Sequence, residues 1–227
     1  MSEKVNEKIV EILYDLEHKS EHMFPHIHGD CNLTHFGHCF KHVSLNGLWM
    51  EFGVFSGKTI CTIASCNPTQ TIYGFDSFDG LPEFWDDANP KGAYTLGGKI
   101  PDKIFRGANV IHGTPYQDWN PNITLIKGLF GDTLPEFAAE HTGPVAFMHI
   151  DSDLYSSCKM VLQTFTGRIV PGTVICFDDW CGYPQITNVD HEIKAFAEFL
   201  LKTGLGFKPI SYQTDEHYSQ AGFSITE

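Results

Sequence analysis

From residue 48 onward the chain alternates short apolar runs with stretches of helical period, and nothing else in the sequence narrows the fold as much. Strands are predicted at 48–53 (LWMEFG), 71–75 (TIYGF), 123–127 (ITLIK), 145–150 (VAFMHI) and 173–177 (TVICF), with helices near 57–66, 133–140, 155–166 and 190–203. Strand and helix in alternation bring successive strands back parallel, with helices covering the sheet. The last two runs, FKPISYQ and AGFSITE, have no helix between them and pair as a hairpin. The expectation is an α/β fold, a doubly wound, mostly parallel seven-stranded sheet that ends in an antiparallel hairpin.

Ahead of that region, residues 5–17 place Val5, Ile9, Ile12 and Leu13 on one helical face. Such a helix packs on its own domain or across a homodimer interface. Seven of the twelve histidines follow between His18 and His42 without a clear period. His26, His28, Cys31, His35, His38, Cys39 and His42 offer zinc-type donors, but at spacings that fit no standard finger, so the stretch is read as a substrate-facing flap or connector. The division expected is 1–47 for the helix and His-rich flap and 48–227 for the main domain, within which 80–122 is a lid. That segment holds five prolines and six glycines with little periodicity, and loops of such length in compact domains are usually functional.

Charge removes several classes of partner. With 28 acidic residues against 15 basic ones the net charge is −13, and no Lys/Arg run concentrates positive potential, which disfavours nucleic acid and anionic membrane. No apolar stretch approaches the roughly 20 residues that span a bilayer, and the N-terminus is too charged for a signal peptide. Seven cysteines form an odd set, several inside apolar runs, which argues against a disulfide framework and for a reducing, cytoplasmic setting.

Two strands run straight into carboxylates: AFMHIDSD ends at Asp151, and TVICFDDW at Asp178 and Asp179. Ligands of open parallel sheets bind beyond the carboxyl ends of the strands, where strand order reverses. In a 3-2-1-4-5 order these two strands are neighbours, about 4.8 Å apart, so their acids converge on one rim. Asp151, Asp178 and Asp179 repel one another unless protonated or bridged, and hard oxygen donors at close range suit Mg²⁺. Solvated strand ends or helix caps are the plainer alternative, and Asp153 reads as the N-cap of the helix that follows.

Two further motifs sit at strand ends. MEFGVFSGKT delivers Glu51, Gly53 and Gly57 into a helix N-terminus, but Phe55 stands where a dinucleotide fingerprint wants its second glycine, so a pyrophosphate ligand is disfavoured. Asp76, about twenty residues past that turn, is placed to accept from ribose hydroxyls. Together they describe a nucleoside without a diphosphate.

EFGVFSGKTI, YGFDSFDGLPE, NPKGAYTLGGKIPD, IKGLFGDTLPEF, GPVAFMHIDSDLYSSCKMVL and VPGTVICFDDWCGYP, in this order over roughly residues 48–227, resemble the TylF-like (macrocin O-methyltransferase) group of class I methyltransferases, which use S-adenosyl-L-methionine on a Rossmann-like fold. The resemblance implies Mg²⁺-dependent methylation of a hydroxyl on a sugar or glycosylated small molecule of natural-product type. By it, Glu51, Gly53, Phe55, Ser56, Gly57 and Thr59 hold the methionine end of the cofactor, and Asp76, Ser77 and Phe78 the ribose. Gly128, Leu129, Phe130 and Asp132 border the adenine, Asp151 adjoins the cofactor, and Asp151, Asp178 and Asp179 carry the metal. Related sequences often show FDEY where this chain has FDDW, with its shorter acid at 179.

In-line methyl transfer asks the protein mainly to position the acceptor and accept its proton, which gives catalytic roles to Asp151 and to His149, two residues before it on the same strand. The alternatives are a catechol-like aromatic acceptor, or a protein that binds the cofactor without turnover.

Overall fold

A computed structural model of the chain describes residues 31–105, 116–180, 191–214 and 219–227. The helix expected at 5–17 lies outside them. In chain order the elements are α1 (Cys31–Phe40), β1 (Leu48–Phe52), α2 (Lys58–Cys66), β2 (Ile72–Asp76), β3 (Ile104–Phe105), β4 (Tyr116–Gln117), β5 (Ile123–Lys127) and α3 (Phe130–Glu140). They continue with β6 (Val145–Ile150), α4 (Tyr155–Thr164), β7 (Val174–Phe177), α5 (Glu192–Thr203), β8 (Gly206–Thr214) and β9 (Ser219–Thr226).

Seven strands form one sheet in the order β5-β2-β1-β6-β7-β9-β8, while β3 and β4 make a separate two-stranded ribbon. The five strands from β5 to β7 are parallel, and β9 pairs antiparallel with both β7 and β8. This is the predicted architecture, including the 3-2-1-4-5 order and the terminal hairpin.

Strand parity divides the core. Met50, Phe52, Met148, Ile150, Ile175 and Phe177 pack with α3, α4 and α5 on one face, and Trp49, Phe147, Val174 and Cys176 pack with α1 and α2 on the other. Successive side chains point to opposite faces, so β6 and β7, with every residue buried, serve both layers at once. The same parity carries Glu51, His149, Asp151 and Asp178 on the face of α1 and α2.

α1 was not predicted. His35, Phe36 and Cys39 are buried against the sheet, and the helix contacts α2, β7, β8 and β9. In the described part of the expected lid, the amides of Leu96 and Gly98 both donate to the Phe78 carbonyl, and Trp119 covers the start of α2.

Candidate active site

The rim is assembled by the backbone ladder, which runs on past the ends of the strands. The amide of Gly128 donates to Asp76 O (3.0 Å), that of Gly53 to Phe75 O, that of Asp151 to Phe52 O and that of Asp178 to Ile150 O (each 2.9 Å). These bonds fix the acids side by side along one edge of the sheet. Gly53, at φ 93°, is required there: a Cβ would lie 1.6 Å from the Asp151 carbonyl oxygen.

A cavity of about 600 Å³ opens beyond this edge, a size that suits a small-molecule site. Its floor is made by Gly53, Phe55, Asp76, Ser77, the turn from Gly128 to Asp132, Asp151, Asp178 and Asp179. Phe55, Tyr94, Leu129 and Met160 line it while remaining at least 40% exposed, an apolar rim around an acidic floor. Among the described residues, no lysine or arginine lines it.

Asp76 organises the turn from β1 into α2. Its Oδ2 accepts from the amides of Val54 (2.8 Å) and Phe55 (2.7 Å), and its Oδ1 from the amide of Phe78 (2.6 Å). A carboxylate offers about four acceptor sites, so one is left for a hydroxyl, against the two sequence reasoning assigned. Phe55 and Phe78 both take positive φ, 44° and 58°, a strained conformation for such residues that these three bonds hold in place.

Behind the rim lies a buried relay. His149, 1% exposed, faces Glu51 Oε2 through Nδ1 at 3.1 Å and Asp178 Oδ1 through Nε2 at 3.3 Å. Glu51 also accepts from Thr59 Oγ1 at 2.9 Å, and Gln220 donates to Asp178 Oδ1. Burial opposes the imidazolium, yet Asp178 and Glu51 outweigh it and hold His149 well above its ordinary pKa. Burial likewise pushes Asp178 upward, but the charge and hydrogen bonding of His149 leave it below the usual carboxylate range. Burial raises Glu51.

For the other acids burial and like charge win, the charge of His149 opposing the shift only in part at Asp151 and Glu192. Burial and then the Asp178 charge push Asp151 well above its ordinary value, and burial with Asp153 does the same to Asp179. Asp153 is driven by burial to about 7, although a hydrogen bond with Asp179 opposes the shift. Glu192, buried beside them and accepting from the Asp179 amide at 3.1 Å, is also raised well above its ordinary value, first by burial. Asp179 Oδ2 and Ser152 Oγ are buried without a hydrogen-bond partner.

Two donor sets share Asp151. Single ligand atoms of Asp151, Asp153 and Asp179 lie within 4.8 Å of one another, as do those of His149, Asp151 and Asp178. The first set is all hard oxygen, crowded, and contains the orphaned Asp179 Oδ2, which fits Mg²⁺. The orphaned Ser152 Oγ and the single open site on Asp76 fit a bound nucleoside in the neighbouring space.

The family model described as macrocin-O-methyltransferase (TylF) matches residues 22–199. The chain belongs to the TylF family. The match reaches back to residue 22 and so takes in the His-rich stretch, which the motifs of the sequence did not cover. Two curated relatives are a mycinamicin III 3''-O-methyltransferase of Micromonospora griseorubida, 27% identical over 55% of this chain and 49% of its own length, and an 8-demethyl-8-(2,3-dimethoxy-alpha-L-rhamnosyl)-tetracenomycin-C 4'-O-methyltransferase of Streptomyces olivaceus, 24% identical over 65% and 59%. The chain thus spans about half to three fifths of the length of the curated relatives it matches. Among solved structures, the calicheamicin methyltransferase CalS11 is similar with a TM-score of 0.59 at 19% identity, covering 99% of this chain and 93% of that one. An O-methyltransferase from Bacillus cereus in complex with SAH gives 0.51 at 13% identity, covering 97% and 91%. These likenesses are of fold, the class I methyltransferase fold.

Within this TylF chain, Gly53, Phe55, Asp76, Ser77, Gly128, Leu129, Phe130, Asp132, Asp151, Asp178 and Asp179 line the cavity. Glu51, Ser56, Gly57, Thr59, Phe78 and His149 are not on its wall. Glu51 and Thr59 sit beneath the turn, bonded to each other, and Trp119 stands so close over Gly57 that a Cβ there would lie 2.5 Å from its ring. Sequence reasoning missed Asp153 as a site residue. It is not the cap of α4: Leu154 is, and Asp153 takes φ 58° with its carboxylate in the cavity. It also missed Tyr94 and Met160, which no periodicity marks as site residues.

Proposed function

We propose that this TylF-family chain is an S-adenosylmethionine-dependent O-methyltransferase of a sugar or glycosylated small-molecule hydroxyl, working with Mg²⁺ held by Asp151, Asp153 and Asp179, with Asp178 beside them. The observation that supports the metal is Asp179 Oδ2, which has no hydrogen-bond partner among the described residues and lies in a crowded carboxylate cluster whose charge-compensating neighbour, His149, sits behind Asp178. The sugar acceptor is supported by the names of both curated relatives, each an O-methyltransferase of a glycosylated natural product.

When bound, the cofactor would supply an electrophilic methyl on a sulfonium, and Mg²⁺ on these carboxylates would supply Lewis acidity toward an acceptor hydroxyl. The protein positions and deprotonates. Asp76 offers its open Oδ1 site to a ribose hydroxyl, and the turn from Gly128 to Phe130 borders the base. Phe55, Tyr94, Leu129 and Met160 hold an apolar body against the mouth and keep water, itself a hydroxyl competitor, from the acceptor. Asp151, at the rim where the acceptor would lie, would take the proton of the attacking oxygen as that oxygen accepts the methyl, directly or through water. His149 serves as a positioning residue, bracing Asp178 from behind.

The test is calorimetric titration of S-adenosylhomocysteine with Mg²⁺ and with EDTA, followed by turnover on nucleotide sugars, glycosides and catechols. Micromolar binding that survives EDTA, with turnover on a glycoside that EDTA abolishes, supports the reading. Absence of binding in both conditions overturns it, and turnover confined to catechols overturns the acceptor.

A further inference from the structure

A second cluster lies on the α1 side of the sheet, fully buried and outside the cavity. His35, Cys39 and Cys176 are 1%, 0% and 0% exposed, and one ligand atom from each lies within 4.8 Å of the others. We infer that His35, Cys39 and Cys176 form a metal site for Zn²⁺, or for the softer Cu⁺, that fastens α1 to the sheet.

The local structure is that of a donor set. His35 and Cys39 are four residues apart on one helix, so they share a face. Below them a single row crosses the sheet: Cys176 on β7 pairs with Gly222 on β9, which pairs with Ser211 on β8. Gly222 leaves the space, since a Cβ there would come 2.6 Å from Cys39 Sγ. Ser211 Oγ lies 2.8 Å from His35 Nδ1, and His35 Nε2 lies 4.0 Å from Cys39 Sγ. A metal-bound histidine characteristically uses its far ring nitrogen to donate to an oxygen, which fixes the tautomer and turns the other lone pair toward the ion. The Nδ1–H tautomer, donating to Ser211 Oγ, would turn the Nε2 lone pair toward the thiols in that way.

The dimensions agree. Tetrahedral zinc with bonds of about 2.3 Å to sulfur and 2.05 Å to nitrogen separates sulfur and nitrogen by roughly 3.6 Å. The observed 4.0 Å needs a closure of only about 0.4 Å on that scale. One nitrogen and two sulfurs select Zn²⁺ or Cu⁺ over Mg²⁺, so this site and the oxygen cluster sort different ions. The ion would be loaded as α1 folds onto the sheet, because the completed site is sealed. α1 also reaches the relay behind the rim, with Phe36 edge-on to His149 at 4.8 Å between ring centroids. The inference does not depend on the methyl-transfer reading.

The experiment is elemental analysis of the full chain purified without chelator or metal-affinity resin, with Asp151→Asn, Cys39→Ser and His35→Gln variants alongside. The expected result is about one zinc or copper per chain in the wild type and in Asp151→Asn, lost in the other two. Which element is found separates the two ions. To keep the test independent of misfolding in Cys39→Ser, stripped wild-type protein is refolded with Co²⁺, where an ultraviolet thiolate-to-cobalt charge-transfer band is expected. Zinc or copper that stays in Cys39→Ser but leaves with Asp151→Asn overturns the inference, as do metal-free wild type and cobalt-loaded protein without that band.

Discussion

Replacing Asp153 with Asn should stabilise the metal-free protein, although the same change should impair metal binding. Asp153 sits at about 7 in the fold against an ordinary 3.8. The folded chain therefore keeps a proton that the unfolded chain has released, and the stability this represents is full below the ordinary value and lost as pH rises toward 7. The difference between the two values is worth roughly 4 kcal/mol. Asn cannot ionise, keeps an oxygen that can accept from a protonated Asp179 as Asp153 does, and tolerates the positive φ of this position. At about pH 8 in EDTA the Asp153→Asn variant should gain between roughly 1 and 4 kcal/mol, with the low end applying where Asp179 takes over the strain. Each kcal/mol should raise Tm by roughly 2–4 °C in a chain of this size. Urea denaturation in EDTA at about pH 4.5 and about pH 8 checks this, with the gain expected only at the higher pH. Mg²⁺ should stabilise the wild type at pH 8 and the variant much less. A variant that is no more stable than wild type at pH 8 in EDTA would refute the electrostatic account of the acid cluster.

Other perturbations have equally definite outcomes. Gly53→Ala places a Cβ 1.6 Å from the Asp151 carbonyl at a φ of 93°, so it should cost more than ~3 kcal/mol or leave the protein insoluble, measured by the melting temperature of soluble material. Asp76→Asn should weaken S-adenosylhomocysteine binding by roughly tenfold or more in calorimetry, since a charged acceptor and the turn it braces are both affected. His149→Gln removes the cation that holds Asp178 low, so Asp178 should keep its proton to higher pH. Mg²⁺ titrations of that variant should lose affinity at mildly acidic pH and recover it as pH rises.

The parallel sheet was legible because LWMEF, IYGF, VAFMHI and VICF are short apolar runs, each followed directly by a residue that breaks the pattern, namely Gly53, Asp76, Asp151 and Asp178. Asp151 and Asp178 could be placed on the rim from strand order alone. What escaped depended on tertiary context. α1 has a helical stripe in Phe36, Cys39 and Phe40, but histidines and a glycine interrupt it, so it looked like a connector. Asp153 has the sequence position of a cap, and only its positive φ turns it into the cavity. His149 alternates with Asp151 along one face as expected, yet it is the ladder between β6 and β7 that buries it behind Asp178 rather than exposing it to a ligand.

The position of β9 bears on how the molecule can be synthesised. This strand follows β8 in the chain but is inserted between β7 and β8, so VICF has an unpaired edge until β9 has left the ribosome. An apolar strand with an open edge is a template for pairing with the wrong chain. For the interval in which residues 206–226 are still being translated, the nascent chain is exposed to that hazard, and Asp178 has no Gln220 beside it. Slow translation just upstream of β9 would be expected to prolong that open edge and to raise misassembly rather than relieve it.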